Sequence, residues 1–219
     1  MKHRGIIFDC DGTLVDSLAQ ALESFNYALE KVGSKSRTPT EIKRYFGAAA
    51  DRILLNLLND KTLALKAFEI YLDHQTELAE NTKLHPGVRE LLDRLAEEKI
   101  SMAVVTGRHE RDLEIVLKPH KLSDYFTALV TDNHLPQSKP APDGILLAAK
   151  KMGIPASQTF YVGDSIVDIQ AARSAGSVSV AALWDVLAKP QEMIAENPKY
   201  VAQFPADVWS FFKTHFNIN

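Results

Sequence analysis

Five short runs rich in Ile, Val and Phe constrain the fold more than any other feature of the sequence. They are residues 5–8, 100–105, 126–130, 159–162 and 178–183. They lack the sustained polar–apolar alternation of a half-exposed strand, so they are typical of strands buried on both faces. Helical patterns separate the later runs, and one of them places Val88, Leu91, Leu92 and Leu95 on a single face. Strands that alternate with helices predict an α/β fold with a Rossmann-like, doubly wound parallel sheet.

The stretch from residue 17 to about residue 83 breaks this alternation, because it contains no strand-like run. Two capping boxes predict helix starts there: Ser17 with Gln20, and Thr38 with Glu41. Apolar residues at helical spacing predict the buried faces of these helices, among them Phe25, Leu29, Ile53, Leu54, Leu65, Phe68 and Leu72. The stretch is therefore expected to be entirely helical.

This interruption predicts two domains. We expect an α/β core domain of residues 1–15 and 84–219 and an inserted all-helical domain of residues 16–83. Because the insertion follows the first strand directly, it is expected above the carboxyl ends of the sheet strands, where open α/β sheets bind their ligands.

The composition narrows the class of protein. Of the 219 residues, 46% are hydrophobic and 24% are charged, which is typical of a globular chain rather than a disordered one. The net charge of −3 gives no electrostatic reason to expect a nucleic-acid or membrane partner. A signal-peptide pattern and an apolar run of about 18 residues are both missing, so a cytoplasmic protein is expected.

Polar and acidic residues follow four of the predicted strands. They are Asp9 and Asp11 after the first run, Thr106 and Gly107 after the second, Lys139 after the third, and Asp164 and Asp168 after the fourth. Since the carboxyl ends of parallel strands meet at one edge of a sheet, these residues from distant positions are expected to converge.

The spacing of the acids points to a divalent cation. Asp9 and Asp11 are two residues apart on an extended segment, so their side chains point to the same side. Two carboxylates held that close repel each other unless a cation or a shared proton relieves them. Asp164 and Asp168 share one face at the start of a helix. Hard oxygen ligands beside a lysine and a Thr-Gly turn suit Mg²⁺ together with a phosphate group, which is the arrangement that phosphoryl transfer needs.

Some residues in and near these segments also fit less specific interpretations. Cys10, the single cysteine, lies between the two acids, but strand alternation turns it away from them and favours a buried structural thiol. An EF-hand is excluded, since Leu14 stands where the loop needs glycine and Gln20 where it needs glutamate. Asp168 taken alone fits a solvated helix acid, and the seven histidines show no metal-ligand spacing.

Four segments together resemble the haloacid dehalogenase superfamily. The segment IFDCDGTLVDS at residues 7–17 is similar to the first motif of that family. VVTG at 104–107, KP at 139–140 and GDSIVD at 163–168 follow in the family's order. The resemblance spans nearly the whole chain, and it implies that the helical insertion is the family's small helical cap.

The resemblance implies a role for each acid. Asp9 would attack phosphorus and form an aspartyl-phosphate. Asp11 would protonate the leaving alcohol and then activate the hydrolytic water. The carboxylates of Asp9 and Asp164, with the backbone carbonyl of Asp11, would hold Mg²⁺. True dehalogenases of the superfamily lack an acid at the position of Asp11, so its presence favours phosphate over halide chemistry.

The resemblance also implies how the phosphate is held. Thr106 and the Gly107 amide would bind phosphate oxygens, and Lys139 would neutralise Asp9 and the developing charge. Asp168 would orient a metal-bound water or Lys139. Gly107 departs from the family pattern, since many relatives carry asparagine there; a backbone contact would survive that difference and a side-chain contact would not.

The expected function is that of a Mg²⁺-dependent phosphatase that hydrolyses phosphate monoesters of a small metabolite. Within the superfamily the first motif and the insertion are most similar to phosphoglycolate phosphatases and their pyrophosphatase relatives. The alternatives are an inorganic pyrophosphatase of the same family, a sugar-phosphate mutase similar to β-phosphoglucomutase, and a catalytically silent binding protein on the same fold. A monomer or a homodimer is expected. Lys43, Arg44, Gly47 and Arg52 lie where relatives with a small cap place their specificity loop, but a solvated basic helix face is the simpler interpretation.

Overall fold

The computed structural model describes residues 4–218, and all five apolar runs form strands in it. The outer ends of the predicted core domain, residues 1–3 and residue 219, lie outside this part. The strands are β1 (Gly5–Phe8), β2 (Val15–Asp16), β3 (Lys83–Leu84), β4 (Ser101–Thr106), β5 (Ala128–Thr131), β6 (Thr159–Gly163), β7 (Val178–Ala182) and β8 (Tyr200–Ala202). Six of them form one sheet in the order β5-β4-β1-β6-β7-β8, and every neighbouring pair is parallel.

Residues 4–218 form ten α-helices, some of which cover the two faces of the sheet. They are α1 (Leu18–Lys31), α2 (Pro39–Lys43), α3 (Ala50–Leu58), α4 (Lys61–Leu78), α5 (Val88–Glu97), α6 (Glu110–Leu117), α7 (Asp143–Met152), α8 (Ile166–Ala175), α9 (Pro190–Ala195) and α10 (Pro205–Phe216). Ile6 and Phe8 pack with α5, α6 and α10 on one face, while Ile7 packs with α7 and α8 on the other. This confirms the predicted doubly wound α/β fold. Among residues 4–218, no helix combines the length and apolar character that a bilayer crossing requires.

The register of the central strands aligns their carboxyl ends. Phe8 at the end of β1 lies opposite Val104 of β4 and Val162 of β6. The residues that follow these positions therefore come out at one edge of the sheet, directly beneath the helical insertion. The predicted convergence of distant loops follows from this register.

The insertion of α1–α4 has an apolar core of its own. That core includes Phe25, Leu29, Ile42, Ile53, Leu54, Phe68 and Leu72. The capping box of Thr38 and Glu41 is confirmed at the start of α2. Where the chain enters and leaves the insertion, β2 pairs antiparallel with β3, with Val15 opposite Leu84. The exact domain boundaries, at 15–16 and 83–84, stay a prediction.

Three details differ from the sequence prediction. Ser17 makes no helix-capping bond; its hydroxyl instead donates to the carboxylate of Asp11, and Gln20 bonds to Gln75. Leu65 is 58% exposed, because the buried face of α4 runs through the helix positions beside it. The short strands β2, β3 and β8 go beyond the five predicted runs, since two or three residues are too short to form a recognisable pattern.

Candidate active site

Asp9 follows β1 directly and is buried beside a lysine from another loop. The Nζ atom of Lys139 lies 3.0 Å from Asp9 Oδ1 and 2.7 Å from Asp168 Oδ1. It also donates to the hydroxyl of Tyr161 at 3.2 Å. The Lys139 side chain is only 7% exposed, so its charge is directed at these two acids rather than at water. The structure thus brings Asp9, Lys139 and Asp168 together.

Three acids form a cluster at this edge of the sheet. One carboxylate oxygen from each of Asp9, Asp164 and Asp168 lies within 4.8 Å of the others. Thr13 donates to Asp164 at 3.2 Å, and the Ser165 amide donates to Asp168 at 3.1 Å, which fixes both carboxylates. Hard oxygen donors at this separation fit a divalent cation such as Mg²⁺.

Burial and mutual repulsion disfavour the ionised form of the carboxyl groups in this cluster. Burial raises the pKa of Asp9 to about 7, against the lowering effect of Lys139 and with further raising by Asp168 and Asp11. Burial, together with the charges of Asp168 and Asp9, raises the pKa of Asp164 well above its usual value. Carboxylates that resist ionisation in this way are stabilised by a bound metal.

Two glycines allow the acids to approach the backbone this closely. Gly12 has φ +72°, and a Cβ atom built on it would lie 2.2 Å from Asp164 Oδ2. A Cβ atom on Gly163 would lie 2.4 Å from Asp168 Cγ. Any larger residue at these two positions would displace an acid of the cluster.

Asp11, two residues after Asp9, pairs its carboxylate with an arginine. Arg108 donates from Nε to Asp11 Oδ2 at 2.9 Å and from Nη2 to Oδ1 at 2.6 Å. Although burial raises it, the Arg108 guanidinium and its hydrogen bonds hold the pKa of Asp11 below its usual value. Asp11 is therefore outside the three-carboxylate cluster, and its metal contact through the backbone carbonyl stays a prediction.

Thr106 and Gly107 lie at the end of β4, against the insertion. Thr106 is buried, and its hydroxyl accepts a hydrogen bond from the Arg108 amide at 3.1 Å. A Cβ atom on Gly107 would lie 3.0 Å from the carbonyl oxygen of Gly47 in the insertion. A side chain at position 107 would therefore crowd the insertion loop.

Except for the fully buried Asp168, the predicted site residues line one cavity of about 620 Å³ between the sheet and the helical insertion. Lys43 and Arg44 also line it, as the specificity-loop interpretation expected. Arg52 does not; it pairs with buried Asp132 at 3.2 Å, and the Ala49 amide donates to the same carboxylate. Arg52 therefore attaches the insertion to the core.

Sequence reasoning missed Arg108 and Asp112. Both are buried, and Arg108 Nη1 lies 2.6 Å from Asp112 Oδ1. The signal was present, since Arg108 follows the Thr106-Gly107 turn directly and Asp112 is four residues further on, at ion-pair spacing on a helix.

The chain matches a family model described as haloacid dehalogenase-like hydrolase over residues 6–182. A protein provisionally named pyrophosphatase PpaX, from Caldanaerobacter subterraneus subsp. tengcongensis, is 36% identical over 97% of this chain and 94% of its own. A phosphoglycolate phosphatase from Pseudomonas syringae pv. tomato is 35% identical over 80% of this chain and 68% of its own. A solved hydrolase from Pseudomonas syringae matches with a TM-score of 0.82 and 26% identity, over 97% of this chain and 99% of that one.

Proposed function

The chain belongs to the haloacid dehalogenase-like hydrolases and is an enzyme of the phosphatase branch of that family. We propose that it is a Mg²⁺-dependent phosphomonoesterase that acts on a small phosphorylated metabolite such as phosphoglycolate. The observation that carries the proposal is that Asp9 is buried, lines the cavity and lies beside Lys139 and two further acids. A bound Mg²⁺ would supply charge neutralisation for the carboxylates and the phosphate.

Asp9 is the nucleophile in this proposal, and it acts in two steps. Its carboxylate oxygen forms a bond to phosphorus while the bond from phosphorus to the leaving alcohol oxygen breaks. Asp11 gives a proton to that alcohol; this step uses the protonated form of its carboxyl group, which Arg108 disfavours in the metal-free protein. Water then attacks phosphorus of the aspartyl-phosphate, Asp11 takes a proton from the water, and the carboxylate of Asp9 is released with inorganic phosphate.

The remaining site residues bind and orient in this proposal. The Thr106 hydroxyl, the Gly107 amide and Lys139 bind oxygens of the phosphoryl group. Asp168 holds Lys139 in place through the 2.7 Å ion pair. Asp9, Asp164 and the backbone carbonyl of Asp11 are the proposed ligands of Mg²⁺.

The helical insertion, residues 16–83, is the proposed cap that covers the reacting groups. The cavity lies between it and the core, and residues of both line its wall. Closure of such a cap excludes bulk water while the phosphoryl group is transferred. Lys43 and Arg44 of the cap are suited to a second anionic group on the substrate.

Pyrophosphate hydrolysis is the second candidate function, because the relative named pyrophosphatase PpaX covers nearly the whole chain. With Mg²⁺ present, we expect phosphate release to be faster from 2-phosphoglycolate than from pyrophosphate or hexose phosphates, measured as inorganic phosphate. Faster release from pyrophosphate would favour the second candidate. Phosphate moved to another sugar hydroxyl, with a bisphosphate activator required, would favour a mutase. No turnover of any ester would contradict the proposal.

We expect Mg²⁺ to stabilise the protein more strongly as the pH rises. Asp9 has a folded-state pKa of about 7 and an ordinary value of 3.8. Between these two values the folded protein binds more protons than the unfolded chain, so the metal-free protein loses stability as the pH rises. The same rise frees the carboxylate for a cation, so the Mg²⁺-induced increase in Tm should be small near pH 5 and large near pH 8.

The measurement is thermal denaturation across this pH range, with and without MgCl₂. An Na⁺ salt at equal ionic strength is the control, and Asp164→Asn should lose most of the Mg²⁺ effect. An equal Tm shift at both ends of the range would contradict cation binding by these acids.

A further inference from the structure

All three nitrogen atoms of the Arg108 guanidinium donate hydrogen bonds to carboxylates of the protein. Arg108 is 5% exposed, and its Nε and Nη2 atoms both reach the carboxylate of Asp11. Its Nη1 atom donates to Asp112 at 2.6 Å. One buried cation thus lies between two acids, and both belong to the cavity wall, with Asp112 more deeply buried than Asp11. Two-pronged contact of this kind restricts a carboxylate more than a single hydrogen bond does.

Asp112 extends these contacts to the helical insertion. Its second oxygen, Oδ2, accepts a hydrogen bond from the hydroxyl of Tyr71 at 3.2 Å. Tyr71 lies on α4 and is buried against Phe25 of α1, with the ring centroids 4.6 Å apart. A continuous chain of polar contacts therefore runs from the insertion, through Tyr71, Asp112 and Arg108, to Asp11.

The two oxygens of Asp11 differ in their hydrogen bonding. Oδ1 accepts from Arg108 Nε and Nη2 and from Ser17. Oδ2 accepts only from Arg108 Nε, at 2.9 Å, within the described residues. The side chain is 21% exposed toward the cavity. Oδ2 is therefore the oxygen with lone-pair capacity left to exchange a proton with a leaving group or a water.

We propose that Arg108 is a positioning residue, which holds Asp11 so that its Oδ2 faces the leaving oxygen, and that Asp112 and Tyr71 make this position depend on the docked insertion. The proposal rests on the proposed function, since it assigns Asp11 the proton transfer. Docking of α4 on the core would then both cover the cavity and align the acid.

Leaving-group dependence separates this role from a purely structural one. Phenyl phosphate releases a phenol with a pKa of about 10, close to that of tyrosine, so it needs a well-placed acid. p-Nitrophenyl phosphate has nearly the same shape but releases a far more acidic phenol, which leaves with little protonation. Loss of acid alignment therefore slows the first ester much more than the second.

The test measures kcat/KM for both esters in two variants. Arg108→Lys keeps the positive charge but loses the two adjacent N–H donors of the guanidinium, and Tyr71→Phe removes only the hydroxyl. For Arg108→Lys we expect a loss of about tenfold or more on phenyl phosphate and less than about threefold on p-nitrophenyl phosphate. Tyr71→Phe should show the same direction with a smaller loss. Tyr71→Phe retains the buried ring, so it tests the proposal even if Arg108→Lys folds poorly.

Arg111→Lys is the matched control. Arg111 also links α6 to α4, through an exposed two-pronged pair with Glu69 at 2.7 and 2.8 Å, but it does not contact Asp11. It should leave the ratio of the two kcat/KM values unchanged. Equal losses on both esters in the folded variants would overturn the positioning role. A wild-type protein that hydrolyses neither ester would instead contradict the proposed function itself.

Discussion

Asp9→Asn is expected to lower phosphatase activity by about 10⁴-fold or more, because the amide cannot form the bond to phosphorus. The variant should also fail to accumulate a phosphorylated protein, which the wild type should form transiently. The measurements are initial rates with p-nitrophenyl phosphate and Mg²⁺, and mass spectrometry of the rapidly quenched protein. Retained activity would remove Asp9 from the nucleophile role.

The loss should not come from unfolding. The Asp9 carboxylate is buried near three other acids, and its raised pKa shows that burial disfavours its charge. Asparagine has almost the same shape and no charge, so the metal-free variant should melt at the wild-type temperature or above it near pH 8. Asp124→Asn is the control. Asp124 is exposed and precedes β5, so it lies at the amino-terminal ends of the strands, away from the site at their carboxyl ends.

The sheet and the positions of the site loops could be predicted because a strand buried on both faces has a recognisable sequence pattern, a short run of apolar residues. Gly5–Phe8 is strand exactly where its apolar run lies. Parallel register then brings Asp9, Asp164 and Lys139 together, so their convergence needed no knowledge of side-chain packing. The same argument fails for β2, β3 and β8, because two or three residues form no period.

Side-chain pairing inside the site could not be predicted in the same way. Ser17 has the local pattern of a helix cap, but its hydroxyl bonds to Asp11. The spacing of Arg108 and Asp112 is a local signal, but only the three-dimensional fold shows that Arg108 also pairs with Asp11. In both cases a tertiary partner decides the role, and local propensity carries no information about that partner.

Lys139→Met is expected to affect stability and activity together. The substitution keeps much of the buried length but removes the cation between Asp9 and Asp168, 3.0 and 2.7 Å away. Two buried carboxylates left without their partner should lower the free energy of unfolding of the metal-free protein by about 3–5 kcal/mol. Activity should fall by about 10²–10³-fold, because a preorganised charge at the transferring phosphoryl group is lost.

Mg²⁺ distinguishes this electrostatic loss from a packing defect. With Lys139 removed, the cluster of Asp9, Asp164 and Asp168 carries one more uncompensated negative charge, so a divalent cation should raise Tm further in the variant than in the wild type near pH 8. Activity should stay low even when Mg²⁺ restores Tm, because the metal does not replace the lysine at the phosphate. Lys150→Met, at an exposed position of α7, is the control. An equal Mg²⁺-induced change in Tm in Lys139→Met and the wild type would mean that the charge of Lys139 does not affect cation binding.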